Sequence, residues 1–193
     1  MEKISRKNWA LIWVLGMAGQ ICWNIENSWF NTFVYRKIAP DPSIVAWMVG
    51  VSAVVSTFCT FLIGTASDRL GRRRPFIAFG YILWGGFGVT EFLPKDPLWL
   101  AATCVVLADA VMSFFGSMGN DGAFNPWTTD ISSAGNRGKV GGALAVLSAF
   151  PAAALFWHDR RGCRAAVCAR SVSSWKLVFC RYAALTAAMA LPV

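Results

Sequence analysis

Residues 64–75 read GTASDRLGRRRP, a short basic segment between two long apolar stretches. It contains four arginines, Arg69 and Arg72–Arg74. An arginine side chain is costly to place in hydrocarbon, so the segment is predicted to lie at a membrane surface. Because cytoplasmic loops carry an excess of Lys and Arg, the expected side is the cytoplasm.

The composition of the whole chain also predicts a membrane protein. Of its 193 residues, 56% are hydrophobic and 15% are charged, and the mean hydropathy is +0.49. This is too apolar for a soluble globular domain. The positive charges behind the formal net charge of +8 lie in short connections between apolar runs. We therefore interpret them as determinants of the orientation of the chain in the membrane, and we expect the lipid bilayer, not nucleic acid, as the partner.

Five apolar runs are candidates to cross a bilayer, which takes about 20 residues. They are residues 9–35, 44–65, 76–93, 98–127 and 140–157, with Ser43 as the expected N-cap of the second run. The sequence thus predicts an all-α, multi-pass protein of a plasma or inner membrane. Nine Lys and Arg fall on the presumed inner side and three on the outer side, which predicts a cytoplasmic N-terminus: Lys3, Arg6, Lys7, Arg69, Arg72, Arg73, Arg74, Arg137 and Lys139 inside, and Arg36, Lys37 and Lys95 outside.

Residues 158–193 differ in character from residues 1–157. They carry scattered Arg, Cys and Ser, and their apolar run, 182–193, is too short to span a bilayer. We interpret this segment as an atypical tail, out of frame or truncated, and an ordinary terminal tail is the alternative. Three of the six cysteines, Cys22, Cys59 and Cys104, lie in predicted spans, where a thiol behaves as a small apolar group. The other three, Cys163, Cys168 and Cys180, lack the close paired spacing of a zinc site, so no metal and no disulfide are predicted.

Four amide side chains recur on one face of the first predicted helix: Gln20, Asn24, Asn27 and Asn31. We expect them to line a wet solute cavity, and hydrogen bonding between helices is the alternative. Glu26 lies about 100° around the helix from Asn27, so it is expected to face a partner helix. As an acid within the membrane it is also a candidate for cation coupling.

The fourth predicted helix has a second polar stripe, Ser113, Ser117, Asp121 and Asn125. A carboxyl group in a partly dry site can hold a proton or a sodium ion, so Asp121 is the first candidate for cation coupling. Ser117 and Asn125 are candidates to line the solute cavity. An interfacial residue near the cytoplasmic end is the alternative for Asp121.

Asp109 is a further cation-coupling candidate on the same predicted helix. It lies about 120° from Asp121 on an ideal helix, so the two acids are not expected to form one site. For Asp109 the alternative is a buried acid satisfied by another helix. No cofactor is expected beyond a coupling proton or sodium ion.

The basic segment has two interpretations. As a latch, Gly64 allows close packing, Gly71 supplies the turn, and Asp68 pairs with arginines or with a neighbouring helix end. In the other interpretation, Arg69 and Arg72–Arg74 only fix orientation and contact anionic lipid head groups.

The pattern G-x-x-x-D-R-x-G-R-R-R from Gly64 to Arg74 resembles the signature loop between the second and third transmembrane helices of the major facilitator superfamily of secondary transporters. The sequence GRRRPFI at 71–77 resembles the same loop in sucrose and related glycoside symporters. The stretches DGAFNPW at 121–127, TD at 129–130 and NRG at 136–138 are similar to the fourth helix and following loop of the glycoside, pentoside and hexuronide cation symporters. The resemblance covers residues 8–157 and favours the latch.

In that family an acid on the fourth helix takes part in cation coupling, and the corresponding position here is Asp121. Two departures concern the coupling ion and the solute. Melibiose-type members carry acids on helix two, whereas residues 44–63 have none, and they carry an arginine in helix five, whereas residues 140–156 have no charge. A proton-coupled member, or one with another solute, fits better than sodium coupling of the melibiose type.

The resemblance implies an incomplete N-terminal six-helix half, of which five helices are predicted here. A transporter of this kind holds its solute between two halves, so we expect that the chain does not transport alone. The intact relative would move a sugar-like solute with a cation by symport. The alternative is a membrane-embedded structural or regulatory partner of a second transporter half. An enzyme is not expected, because the sole histidine, His158, lies in the atypical tail and no zinc-binding helix motif occurs.

Overall fold

The computed structural model describes residues 4–38, 40–86 and 96–162, with residues 25, 28, 29, 33, 36, 37, 85, 86 and 150–162 described as backbone only. Over these ranges the chain forms five helices and no strand. Helix α1 comprises Arg6–Asn24, a π-helical turn Ile25–Phe30 and Asn31–Lys37; α2 is Pro42–Leu70; α3 is Arg74–Gly86; α4 comprises Leu98–Gly119, a π-helical turn Asn120–Phe124 and Asn125–Asp130; α5 is Arg137–Gly162. The predicted all-α class is confirmed.

Each predicted apolar run coincides with one of these helices, although the helices begin and end elsewhere. Helix α5 continues to Gly162, five residues past the predicted run that ends at 157. Residues 87–95, which include the end of the third run, and residues 163–193 of the predicted tail lie outside the described residues. The interpretation of the tail therefore stays a prediction.

Helix α2 begins at an aspartate cap. The backbone N–H of Ser43 donates to Asp41 Oδ1 at 2.9 Å, and Pro42 takes the first helical position, where its missing N–H is no loss. Asp41 is therefore the N-cap, and the expectation of Ser43 was wrong by two residues. The hydrogen bonds with Ser43 lower the pKa of the Asp41 carboxyl group, because they favour its ionised form.

Most of the basic segment is helical. No residue between Gly64 and Leu70 breaks the helix, so α2 continues until Gly71, whose φ of 62° is the left-handed conformation that ends many helices. Asp68 and Arg69 therefore lie in the last turn of α2. The expected close packing at Gly64 is not found among the described residues, because a Cβ built there would meet nothing within 4 Å.

Helix α4 lies at the centre of the bundle. It packs against α2 and α3, while α1 packs against α5. One core cluster joins α1, α3 and α4, and its largest fully buried side chains are Trp84 and Phe124. A second cluster joins the end of α1 to α2 and α4 and consists of Phe30, Val34, Met48 and Val105.

Large apolar side chains on α2 point away from the bundle. Trp47 and Phe61 are each 72% exposed, and Phe58 and Leu62 are also exposed. By length and composition, Pro42–Leu70 and Leu98–Asp130 could each cross a membrane, and only 17% and 28% of their most apolar windows are buried. The core helix of a soluble protein would be mostly buried, so these faces suit contact with lipid.

Helices α3 and α4 approach each other closely at two glycines. A Cβ built at Gly80 would lie 2.5 Å from the Cα and N atoms of Gly119, so the two backbones touch where neither residue has a side chain. Small residues allow this approach between membrane helices. A backbone atom cannot move aside as the end of a flexible side chain can, so a larger residue at Gly80 would push the two helices apart.

We predict that Gly80→Ala lowers the free energy of unfolding by about 1–3 kcal/mol, the usual cost of overpacking. Gly64→Ala is the matched control, because its Cβ would enter open space. Thermal unfolding of the detergent-solubilised chain, followed by circular dichroism, measures both. Equal stability of the two variants would contradict the described α3–α4 contact.

Candidate functional site

Glu26 lies in the π-helical turn of α1 and is 9% exposed. The indole N–H of Trp84 on α3 donates to its Oε2 at 2.7 Å, and the hydroxyl of Ser113 on α4 donates to its Oε1 at 2.5 Å. We call these three residues the Glu26 junction. The junction joins α1 to two other helices through both carboxyl oxygens, in agreement with the expectation that Glu26 faces a partner helix.

Asp109 lies one helical turn before Ser113 on α4 and is 4% exposed. The hydroxyl of Ser52 on α2 donates to its Oδ2 at 2.5 Å. This arrangement fits the alternative given above, a buried acid satisfied by another helix. It also places two buried carboxyl groups, Glu26 and Asp109, around the same turn of α4.

Asp121 lies in the π-helical turn of α4 and is half-buried. The side-chain amides of Asn120 and Asn125 donate to its Oδ1 at 3.0 and 3.3 Å, and Ser117 is buried one turn earlier beside the same carboxyl group. The structure thus brings together Ser117, Asp121 and Asn125, as the polar stripe predicted.

Asn120, a residue that the stripe did not include, connects Asp121 to the core. The hydroxyl of Tyr81 lies 3.2 Å from both Asn120 Oδ1 and the backbone oxygen of Leu15, so its single proton can serve either acceptor. This links α1, α3 and α4 a second time. The sequence signal was weak, since Asn120 is adjacent to Asp121 and so off its helical face.

The amides on α1 bond within their own helix. Asn24, Asn27 and Asn31 each donate to a backbone oxygen four residues earlier, at 2.8, 2.9 and 2.7 Å. The described hydrogen bonds therefore include none from these amides to another helix. The π-helical turn at Ile25–Phe30 interrupts the regular spacing, so the four amides, Gln20 included, do not follow one ideal stripe. Their role in a solute cavity stays a prediction.

One of the four arginines of the basic segment is enclosed. The Arg73 guanidinium lies 2.6 Å from both Asp68 and Asp130 and donates to Ser67 Oγ at 3.2 Å. Its side chain is 17% exposed, against 61% and 54% for the two aspartates. We call these four residues the arginine clamp. It ties the end of α2 to the end of α4.

The clamp shows where each latch residue lies. Asp68 pairs with an arginine of the same segment, as the latch interpretation expects, and the neighbouring helix end is that of α4, at Asp130. Arg69, Arg72 and Arg74 are exposed and form no described ion pair. They fit the other interpretation, contact with lipid head groups.

Among the described residues, no group of three or more His, Cys, Asp or Glu could hold a metal ion. The buried carboxyl groups of Glu26 and Asp109 can exchange protons and hydrogen bonds with the serine hydroxyls beside them. An all-helical bundle with lipid-compatible outer faces, internal acids and an arginine-tied helix connection is the arrangement expected of a membrane transport protein.

The comparison with protein families agrees with this class. The family model described as Major Facilitator Superfamily matches residues 2–156, and the chain belongs to this superfamily. It is thus an integral membrane protein of a family of secondary transporters, not of enzymes. Searches of curated proteins and of solved structures returned no match to this chain.

We predict that Arg73→Ala lowers the free energy of unfolding by about 1–2 kcal/mol. This is the stabilisation expected of a charged hydrogen-bond network, reduced because the two aspartates are exposed to solvent. Arg72→Ala, which removes an exposed arginine, is the control and should be nearly neutral. Chemical or thermal unfolding in detergent measures both. A loss as large in Arg72→Ala as in Arg73→Ala would show that the clamp does not hold α2 to α4.

Proposed function

We propose that this protein serves in solute:cation symport, with a small sugar-like solute. The observation that carries the proposal is the set of three internal carboxyl groups, Glu26, Asp109 and Asp121, which are held by Trp, Ser and Asn side chains rather than by described cations. Ionisable groups inside a membrane protein are expensive and usually mark an ion or solute pathway.

A cation that binds one of these groups removes an uncompensated charge from a medium of low dielectric constant. The same group favours release once it meets water on the other side of the membrane. A gradient of that cation can therefore supply free energy to a solute that moves with it. This supports symport over simple facilitated movement.

The amides on α1 and α4 support a polyhydroxylated solute. A side-chain amide has two N–H donors and an oxygen that accepts two hydrogen bonds. Asn24, Asn27 and Asn31 each use one donor on their own helix, so capacity remains for solute hydroxyl groups. The resemblance of residues 121–127 and 71–77 to glycoside symporters points to the same class of solute.

We further propose a cytoplasmic N-terminus and an inner-face position of the arginine clamp, on the charge count given above. With the solute held between two halves near the membrane centre, the working unit contains a second half. The test must therefore also establish whether a second polypeptide accompanies the purified chain.

The test is uptake of labelled sucrose and melibiose into lipid vesicles. The chain is purified from its native membrane in mild detergent, with any polypeptide that accompanies it, and then reconstituted. We expect uptake that rises with an inward proton or sodium gradient and collapses with an ionophore. The triple variant Glu26→Gln, Asp109→Asn, Asp121→Asn should lose this dependence, whereas the exposed control Asp96→Asn should keep it.

Uptake that ignores both gradients would contradict symport. Absence of uptake together with a stoichiometric second polypeptide would favour the alternative, a membrane-embedded partner or regulatory half. Gradient-driven uptake by the chain alone would support symport and overturn the requirement for a second half.

A further inference from the structure

We propose that the end of α2 binds one anionic phospholipid, whose phosphate group contacts Arg69 and Arg72 and whose acyl chain lies along Phe58, Phe61 and Leu62. We call these five residues the α2 lipid site. The site lies on the outer face of the bundle and does not depend on the proposed symport. A positive charge that only orients the chain needs no such neighbours, whereas a bound lipid needs both a charged group and an apolar wall.

One face of α2 is exposed from its first turns to its last. On an ideal helix its members fall within an arc of about 100°: Trp47, Val54, Phe58, Phe61, Leu62, Thr65 and Arg69. The buried residues Ser52 and Cys59 lie on the other side of the helix. The exposed face is therefore the one that meets lipid, and it ends in Arg69.

The distance between the arginine and the aromatic side chains suits one leaflet of a bilayer. Phe58 lies 11 residues before Arg69, which is about 16 Å along a helix axis. The hydrocarbon core is about 30 Å thick, so the acyl chains of one leaflet cover about 15 Å of it. With its phosphate group at Arg69, a lipid therefore lays an acyl chain over Leu62 and Phe61 and ends near Phe58.

The two arginines of the site are available for a phosphate group. Arg73 is enclosed by the arginine clamp, whereas Arg69 and Arg72 are exposed and form no ion pair in the part of the chain that the structure describes. A guanidinium group can donate two hydrogen bonds at once to phosphate oxygens. The basic segment also stays positive after the clamp is counted, because its four arginines stand against two aspartates.

A second group of cations at the same end of the bundle lacks the apolar wall. Arg137 and Lys139 are exposed at the start of α5, which follows the end of α4. The exposed residues that come next on α5 include Gly141, Gly142 and Ala145. These small residues give an acyl chain little surface to contact. Charge and apolar wall therefore occur together on α2, and Arg137 and Lys139 provide a matched control.

The test is native mass spectrometry of the full chain in mild detergent, with phosphatidylglycerol or phosphatidylcholine added. We expect one phosphatidylglycerol, the anionic lipid, to be retained in preference to phosphatidylcholine. The double variant Arg69→Gln, Arg72→Gln should lower its association constant by about fivefold or more, since one basic residue near an anionic head group contributes roughly that factor. The control Arg137→Gln, Lys139→Gln removes the same charge and should leave the constant nearly unchanged.

A second pair of variants tests the place of the acyl chain. Phe58→Ala, Leu62→Ala keeps both arginines and should also lower the constant by about fivefold, which corresponds to a loss of about 40 Å² of apolar contact. Trp47→Ala is the control, because Trp47 lies on the same face of α2 but 22 residues from Arg69, outside the leaflet of the bound lipid. Glycerol 3-phosphate, a soluble phosphate without acyl chains, should not displace the lipid.

Equal losses in the two charge variants would show attraction by surface charge in general and would overturn the α2 lipid site. Displacement by glycerol 3-phosphate would overturn a lipid as the occupant. An unchanged constant in Phe58→Ala, Leu62→Ala would overturn the place of the acyl chain. Circular dichroism and gel filtration establish that each variant is folded, and if the apolar variant does not fold, the comparison of the two charge variants decides. The assay uses no solute and no gradient, so lipid binding and symport can fail separately.

Discussion

The packing of the bundle depends on a carboxyl group that three helices enclose. Glu26 bonds to Trp84 on α3 and Ser113 on α4, so α1 cannot rotate about its axis without leaving buried polar atoms unpaired. Such a loss costs about 1–3 kcal/mol for each orphaned group and more for a charged one. Apolar contacts between α1, α3 and α4 supply cohesion, and the junction selects one orientation among those that such contacts would allow.

Helix α4 carries the polar contacts at several levels. Asp109 and Ser113 meet α2 and α1 in its middle, Asp121 lies further along in the π-helical turn, and Asp130 ends the helix in the arginine clamp. One helix therefore contacts both the Glu26 junction and the connection between α2 and α3.

Much of the fold could be predicted from the sequence, because its signals are local. Long apolar runs, the positive charges between them, Gly71 as the turn and the Ser117–Asp121–Asn125 stripe all depend on residue type and helical spacing. The same reasoning put Glu26 on a different face from Asn27.

The remaining features depend on contacts between distant residues. The Glu26–Trp84 bond joins positions 58 residues apart, and the Gly80–Gly119 contact requires two particular glycines to meet at one helix crossing. The π-helical turns change the angle between successive residues, so an ideal helix misplaces the amides of α1. Helix α2 continues to Leu70, past the predicted run that ends at 65, because a helix can extend beyond the bilayer into the region where arginine is solvated.

The most direct test of this account is a double-mutant cycle between Glu26 and Trp84. The free energy of unfolding is measured in detergent for the parent, Glu26→Gln, Trp84→Phe and the double variant. The account predicts a coupling energy of about 1–3 kcal/mol, the range for a buried hydrogen bond to an acid. Additive effects, with a coupling energy near zero, would show that the junction does not hold α1 to α3 and would contradict the central claim.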